Sequence, residues 1–253
     1  MNAPRVGVSV VGVLLLLCTA TAAAPSTAPS PIVTGRLNYR VSWNGIRAGD
    51  ATVNVARVDD VAEPQYQVEG FVQTSWLVDW LWSLRARVSA NFTTGDLTPL
   101  GFRYDRDINR DHSLTNIFYD PEHLHTTGIL VRHERTTTLS VDDPNVMDPI
   151  AATFHALSEP IHVGDTFRYA VFTGEASYRV ELNVIGEETI TVAAGTFRAW
   201  RIEPQLWKVG TGVDRRLRHA TLWVSEAPVR AVLRIRSEVF IGAVNCDLQH
   251  LDT

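Results

Sequence analysis

From Arg36 almost to its C-terminus the chain is written with a period of two. Leu37, Tyr39, Val41 and Trp43 alternate with Arg36, Asn38, Arg40 and Ser42. Successive side chains of a strand point to opposite faces, so this segment has one apolar and one polar face. Asn44-Gly45 follows, a pair suited to the positive φ angles of a two-residue hairpin turn. Ala51, Val53 and Val55 then restore the apolar face. The same alternation recurs over 66–72, 85–92, 100–104, 113–119, 128–133 and 135–141. After residue 165 it resumes over 167–172, 178–184, 189–192, 197–206, 220–224, 229–240 and 242–248. Turn chemistry separates the runs, for example Thr94-Gly95-Asp96, Asp120-Pro121, Gly186 and Glu226-Ala227-Pro228. Roughly fourteen strands with connections too short for crossovers predict antiparallel pairing.

Two segments depart from this period. Asp148-Pro149 opens a run in which Ile150, Ala151, Phe154 and Leu157 fall at helical spacing before Pro160 stops it. Asp148 is placed to cap the helix and Pro149 to occupy its first position. The second is Thr74 to Leu84, where Trp76, Leu77, Trp80, Leu81 and Leu84 share one side and Asp79 and Ser83 lie nearer the other. This predicts a short amphipathic helix or helical turn between two strands. A twisted sheet of this size must curl or close to hide its edges. The expected fold is therefore mainly β: a large curved antiparallel sheet forming a barrel or half-barrel, with one or two short helices. A sandwich of two smaller sheets is the alternative. No fixed-period repeat or long linker divides residues 36–253, which are expected to form a single barrel-like domain.

The first residues read differently. Arg5, the apolar stretch Val6 to Leu17 and the small residues Thr19 to Ala24 have the layout of a signal peptide over residues 1–24. That apolar stretch is shorter than the ~20 residues of a spanning helix. Residues 25–35 carry Pro25, Pro29 and Pro31 and read as an extended spacer. An exported, periplasmic protein is expected. Cys18 at the end of the apolar stretch raises lipoprotein anchoring as an alternative, disfavoured because Leu17 stands where a small residue is wanted. Cys246 would then be the single remaining cysteine, a small buried hydrophobe in a C-terminal strand.

Composition narrows the function classes. Hydrophobic residues make up 45%, ample for a core, which excludes intrinsic disorder. A mean hydropathy of -0.02 excludes a bundle of membrane-spanning helices. A net charge of -5 gives nothing built to neutralise phosphates, so no nucleic-acid partner is expected.

Several stretches resemble a known family. They are Leu37-Asn38-Tyr39-Arg40-Val41-Ser42-Trp43 with Gly45-Ile46 and Ala48-Gly49, then Asp148-Pro149-Ile150-Ala151-Ala152 and Val163-Gly164-Asp165-Thr166-Phe167. Ala193-Ala194-Gly195-Thr196-Phe197, Leu222-Trp223-Val224-Ser225 and Ile241-Gly242 continue the match. In this order, from about residue 36 to 250, the chain resembles the bacterial family of domain of unknown function 3108. The resemblance implies exported proteins of Gram-negative bacteria with a mostly antiparallel β fold. By looser analogy the chain is similar to periplasmic half-barrel carriers of lipids and lipoproteins. The matching residues are turn and cap chemistry; none is catalytic.

Catalytic signatures are sparse. Gly-x-Ser-x-Gly, His-Glu-x-x-His and Gly-rich phosphate loops are absent from the sequence. His123, His125 and His133 are the best metal candidates, but surface histidines on a polar strand face account for them more simply, and no metal or other cofactor is expected. Asp105, Asp107 and Asp111 with His112 offer carboxylates beside an imidazole for acid–base work. Their interleaving with Arg103, Arg106 and Arg110 favours a charge-compensated hairpin. The most unusual feature is Trp76, Trp80 and Trp82 among Leu77, Val78, Leu81 and Leu84. Trp76, Leu77, Trp80, Leu81 and Trp82 are accordingly the candidate ligand-binding or interface residues. They form either an amphipathic lid or membrane-touching wedge, or a plug of ordinary core. The leading expectation is a non-enzymatic carrier enclosing an apolar cavity for a lipid-like or acylated ligand. The alternatives are an envelope glycan-active enzyme using Asp and His residues, and a structural protein with an envelope protein partner.

Overall fold

The computed structural model describes residues 32–120, 124–210, 220–226, 230–239 and 242–252. The segments expected to be signal peptide and most of the spacer lie outside these. The first strand, β1 (Gly35–Trp43), turns through Asn44 at φ 49° and Gly45 at φ 84° into β2 (Ile46–Val58). The turn is thus the mirror-image type that matches strand twist. A Gly45→Val variant should lose about 1 kcal/mol or more, because a β-branched residue resists positive φ. An unchanged melting temperature would overturn the turn assignment.

β3 (Gln65–Thr74) and β4 (Leu84–Thr93) continue the meander, joined by the helical turn α1 (Trp76–Asp79). Their alternation resolves as the sequence predicts. Tyr66, Val68 and Val72 of β3 and Leu84, Ala86, Val88, Ala90 and Phe92 of β4 are buried on the concave side. β5 (Pro99–Ile108), β6 (Asp111–Asp120), β7 (His125–Arg132) and β8 (Arg135–Val141) follow. Then come the two-residue β9 (Val146–Met147) and the helix α2 (Pro149–Ser158). The second half comprises β10 (Thr166–Phe172), β11 (Ser177–Val192), β12 (Gly195–Lys208), β13 (Ala220–Ser225), β14 (Val232–Glu238) and β15 (Ala243–Asp252).

All fifteen strands of the described residues belong to one sheet, in the order β8-β7-β6-β5-β4-β3-β2-β1-β15-β14-β13-β12-β11-β10-β9. The fold is mainly β, a nearly closed barrel-like sheet, and not a sandwich. Its first and last strands are neighbours in mid-sheet, Leu37 opposite Leu251 and Val41 opposite Cys246. The free edges therefore fall mid-chain, at β8 and β9. All paired strands run antiparallel except β9 and β10, which pair in parallel through Ala170 and Val146.

The two wings meet through side chains and turns. Gly128 on β7 packs against Gly174 in the β10–β11 turn, a Cβ at Gly128 falling 2.5 Å from the Gly174 Cα. Beside it Arg106 of β5 donates to Glu175 at 2.8 Å.

Two expectations need correction. The runs 178–184 and 189–192 are one strand, β11, because the chain at Gly186 makes a bulge, with Ile185 the extra residue, and not a turn. The strand β9 was not foreseen, since two residues carry no detectable period. The mid-chain helix begins and ends as its sequence predicts, and Cys246 is buried in β15.

Candidate ligand-binding site

The interior is built around α2. Asp148 is fully buried, and its Oδ1 accepts from the backbone amides of Ile150 at 2.8 Å and Ala151 at 2.9 Å. Its Oδ2 accepts from the Tyr119 hydroxyl on β6 at 3.1 Å. Burial pushes the carboxyl up to about 6, although the two amides and the hydroxyl each pull the other way. The same burial, with Asp148 beside it, holds the Tyr119 phenol well above its ordinary value. Beyond the cap, Ala151 and Ala152 are wholly enclosed and Phe154 packs on Phe92, ring centroids 5.2 Å apart. At the other end, Arg230 donates to the Leu157 carbonyl at 3.3 Å and to that of Glu159. A cation there complements the negative end of the helix dipole.

Between α2 and the inner faces of β1, β2 and β14 lies a cavity of about 120 Å³. Its walls are aliphatic and aromatic: Leu37, Val53 and Val55 from the sheet, Phe154 and Leu157 from the helix, Ile235 from β14. An apolar cavity of about 150 Å³ stays dry and takes a benzene ring, so this one suits a short alkyl segment. It is well below the ~300 Å³ at which drug-sized pockets begin. Many of the inward aromatic and aliphatic side chains pack in two clusters that include α2, through Ala152 and Ala156 in one and Ala151 and Phe154 in the other. A smaller void, about 20 Å³, lies on the other flank of the helix, and Thr153 and Leu157 border both.

Arg230 is the one charged residue among the described lining of the larger cavity. Its guanidinium stands 5.1 Å over the Trp200 ring, and its Nε is buried without a hydrogen-bond partner. Burial lowers its pKa, with Glu159 opposing. A buried donor left unmade costs free energy, and this nitrogen is sealed within the wall, closed to water and to the cavity alike. Sequence reasoning expected an apolar cavity but did not place its walls, and it missed Arg230. The lining comes from strands at both ends of the chain, brought together only by the β1–β15 pairing.

The residues singled out from sequence lie elsewhere. Trp76, Leu77, Trp80 and Leu81 are exposed, Trp80 to 95%, at the rim where β3 passes into β4. They are not core. Trp82 is partly buried against the cluster of Val72, Leu84 and Ala86. Asp105 and Asp107 face His112 on the outer wall, at 3.6 and 3.2 Å from its Nδ1. Asp111 pairs separately with Arg132 and with His133 at 3.1 Å. His125 lies at the far end of β7, 2.5 Å from Asp142, and His123 falls outside the described residues. These groups do not converge in one groove. Among the described residues no three His, Cys, Asp or Glu side chains are grouped to hold a metal.

Comparison with known proteins agrees with this architecture. A family model described as "Protein of unknown function (DUF3108)" matches residues 38–249. No curated protein matches the chain. Among solved structures, a β-barrel-like protein of domain of unknown function DUF1849 from Brucella abortus is similar in fold, with a TM-score of 0.59 at 9% identity. That likeness covers 87% of this chain and 98% of the other. An inferred exported protein with a YmcC-like fold from Bacteroides fragilis gives a TM-score of 0.41 at 9% identity, over 93% and 100% of the two chains. An inferred lipoprotein from Parabacteroides distasonis gives 0.37 at 10%, over 88% and 97%.

Proposed function

The chain belongs to the DUF3108 family, and from that premise we propose that it is an exported, non-enzymatic binding protein of the cell envelope whose interior holds the apolar end of an acylated or lipid-like ligand. The observation that carries this reading is the apolar cavity beside α2 with Arg230 in its wall. The cavity supports a short stretch of alkyl chain, and Arg230, the one cation bordering it among the described residues, supports an anionic group such as a carboxylate at the chain's end. The outer-wall position of Asp105, Asp107 and His112 weighs against the glycan-active enzyme, which needs them in one groove. The signal-like residues 1–24 support export.

Displacement of a fluorescent medium-chain fatty acid from the purified protein tests the proposal. The free acid should displace the probe roughly tenfold better than its methyl ester, as loss of one charge-assisted contact predicts. Absence of any probe binding, with no lipid retained in native mass spectrometry, would overturn it. A second reading rests on β8, whose residues 135–140 are exposed along a free sheet edge. Such an edge accepts a strand from a partner. A stoichiometric envelope protein recovered with the chain, and no apolar ligand, would select that reading.

A further inference from the structure

Four large apolar side chains stand in water together at one end of the sheet. Trp76 is 78% exposed, Leu77 57%, Trp80 95% and Leu81 77%. Ile46, at 63%, joins them from the neighbouring β1–β2 hairpin, whose Ala48 carbonyl accepts from the Ser75 amide at 2.8 Å.

The segment that carries them is firmly held. The amides of Val78 and Asp79 donate to the Ser75 carbonyl, and those of Leu81 and Trp82 to the Val78 carbonyl. Ser83 exchanges hydrogen bonds with Asn109 in the adjoining β5–β6 turn. Asp79 is fixed by Thr74 and Arg85. The root is tied to the fold while the indoles project from it. Clustered exposure of this kind marks an interaction surface.

We propose that this end of the barrel is a membrane-docking wedge that inserts Trp76, Leu77, Trp80 and Leu81 into the interfacial layer of a phospholipid bilayer. Three observations favour lipid over protein. At 95% exposure Trp80 stands clear of its own chain with no pocket walls around it, as entry into a fluid layer requires. An aromatic side chain presents about 150–250 Å² at most, so the patch is on the order of 600 Å², short of the ~800 Å² per partner of a stable protein interface. The charges beside it are already paired, Asp79 with Arg85 and Arg47 with Asp50 at 2.6 Å, so insertion strands no lone carboxylate. Indole, apolar in body and with one N–H donor, is the side chain that settles at the boundary between headgroups and acyl chains. Because the local charges cancel, docking is driven by apolar insertion and depends little on salt or on anionic lipid. The surface is separate from the interior cavity, so the two proposals stand or fall independently.

Flotation of the purified protein with phosphatidylcholine vesicles, and with vesicles containing phosphatidylglycerol, tests the wedge. The wild type should float with both and stay bound in high salt. A Trp76→Ser/Trp80→Ser double variant should lose binding by roughly tenfold or more, with an unchanged melting temperature because these side chains pack on little. Wild-type protein that fails to float, or a double variant that floats equally well, overturns the proposal. So does a wild-type dimer that the double variant turns into a monomer, which would assign the patch to a second copy of this chain.

Discussion

Replacing Asp148 with Ala is expected to lower stability by about 3 kcal/mol, since each of three donors left unmade costs ~1 kcal/mol or more, two of them being the helix cap itself. Three donors lose their acceptor together: the Ile150 and Ala151 amides and the Tyr119 hydroxyl. For a domain of this size that is a fall in melting temperature of about 6–12 °C, read by circular dichroism. An unchanged transition would mean that α2 is not held by its cap. The carboxyl also carries a pH signature. Its folded-state value near 6 lies above the ordinary 3.8, so between those values the native state binds the extra proton. The contribution of Asp148 is therefore fully present below about pH 4 and is lost as pH rises through 6, by an amount on the order of 3 kcal/mol. Against Asp148→Asn, which does not titrate, the wild type should lose ground steadily from pH 4 to pH 7. A difference in melting temperature that stays flat over that range would show that the carboxyl is not raised.

Gly128→Val is expected to be about as damaging, near 3 kcal/mol, because overpacking costs ~1–3 kcal/mol and here backbone blocks the relief. A Cβ at Gly128 meets the Gly174 Cα at 2.5 Å and its carbonyl oxygen at 2.7 Å, with the Phe172 ring at 2.8 Å. Gly174 cannot retreat, since its own φ of 76° and the nearby Thr115 methyl confine it. The contact joins wings that share no ladder there, so the variant should part them and raise hydrogen exchange in β7 and in the 173–176 turn. Gly101→Ala is the control: its Cβ meets nothing within 4 Å, and its stability should be unchanged. Equal stability of the Gly128 variant and this control would show that the wings do not close through the two glycines.

The fold was legible because its determinants are local. Alternation placed the strands, Asn44-Gly45 placed the first turn, and Asp148-Pro149 placed the helix to the residue. Gly186 misled because glycine serves a bulge as readily as a turn, and only the partner strand distinguishes them. The tryptophan segment could be found but its burial could not. Spacing defines a side of a helical turn without saying whether that side meets protein, and in the fold it meets water. An apolar cavity was expected, but its place was illegible for a different reason. Leu37, Phe154 and Ile235 are more than eighty residues apart in pairs, and nothing local says that they share a wall. The Asp and His residues looked promising because sequence proximity mimics a site, whereas strand alternation sends Asp107 outward and Asp111 to the inner rim.

The pairing of β1 with β15 also imposes an order of assembly. A chain made from its N-terminus can zip β1 through β8 as each hairpin appears, since every partner is the next segment. One flank of β1 nevertheless keeps its amides and carbonyls unsatisfied until the last ten residues of the sheet, Ala243–Asp252, are available. That final step spans nearly the whole polypeptide, the kind of distant contact that slows folding. Meanwhile the nascent protein carries an open strand flank, a template for pairing with other chains. Loss of a few C-terminal residues would thus leave a stickier molecule than an equal loss from β8, whose outer flank is bare even when folding is complete.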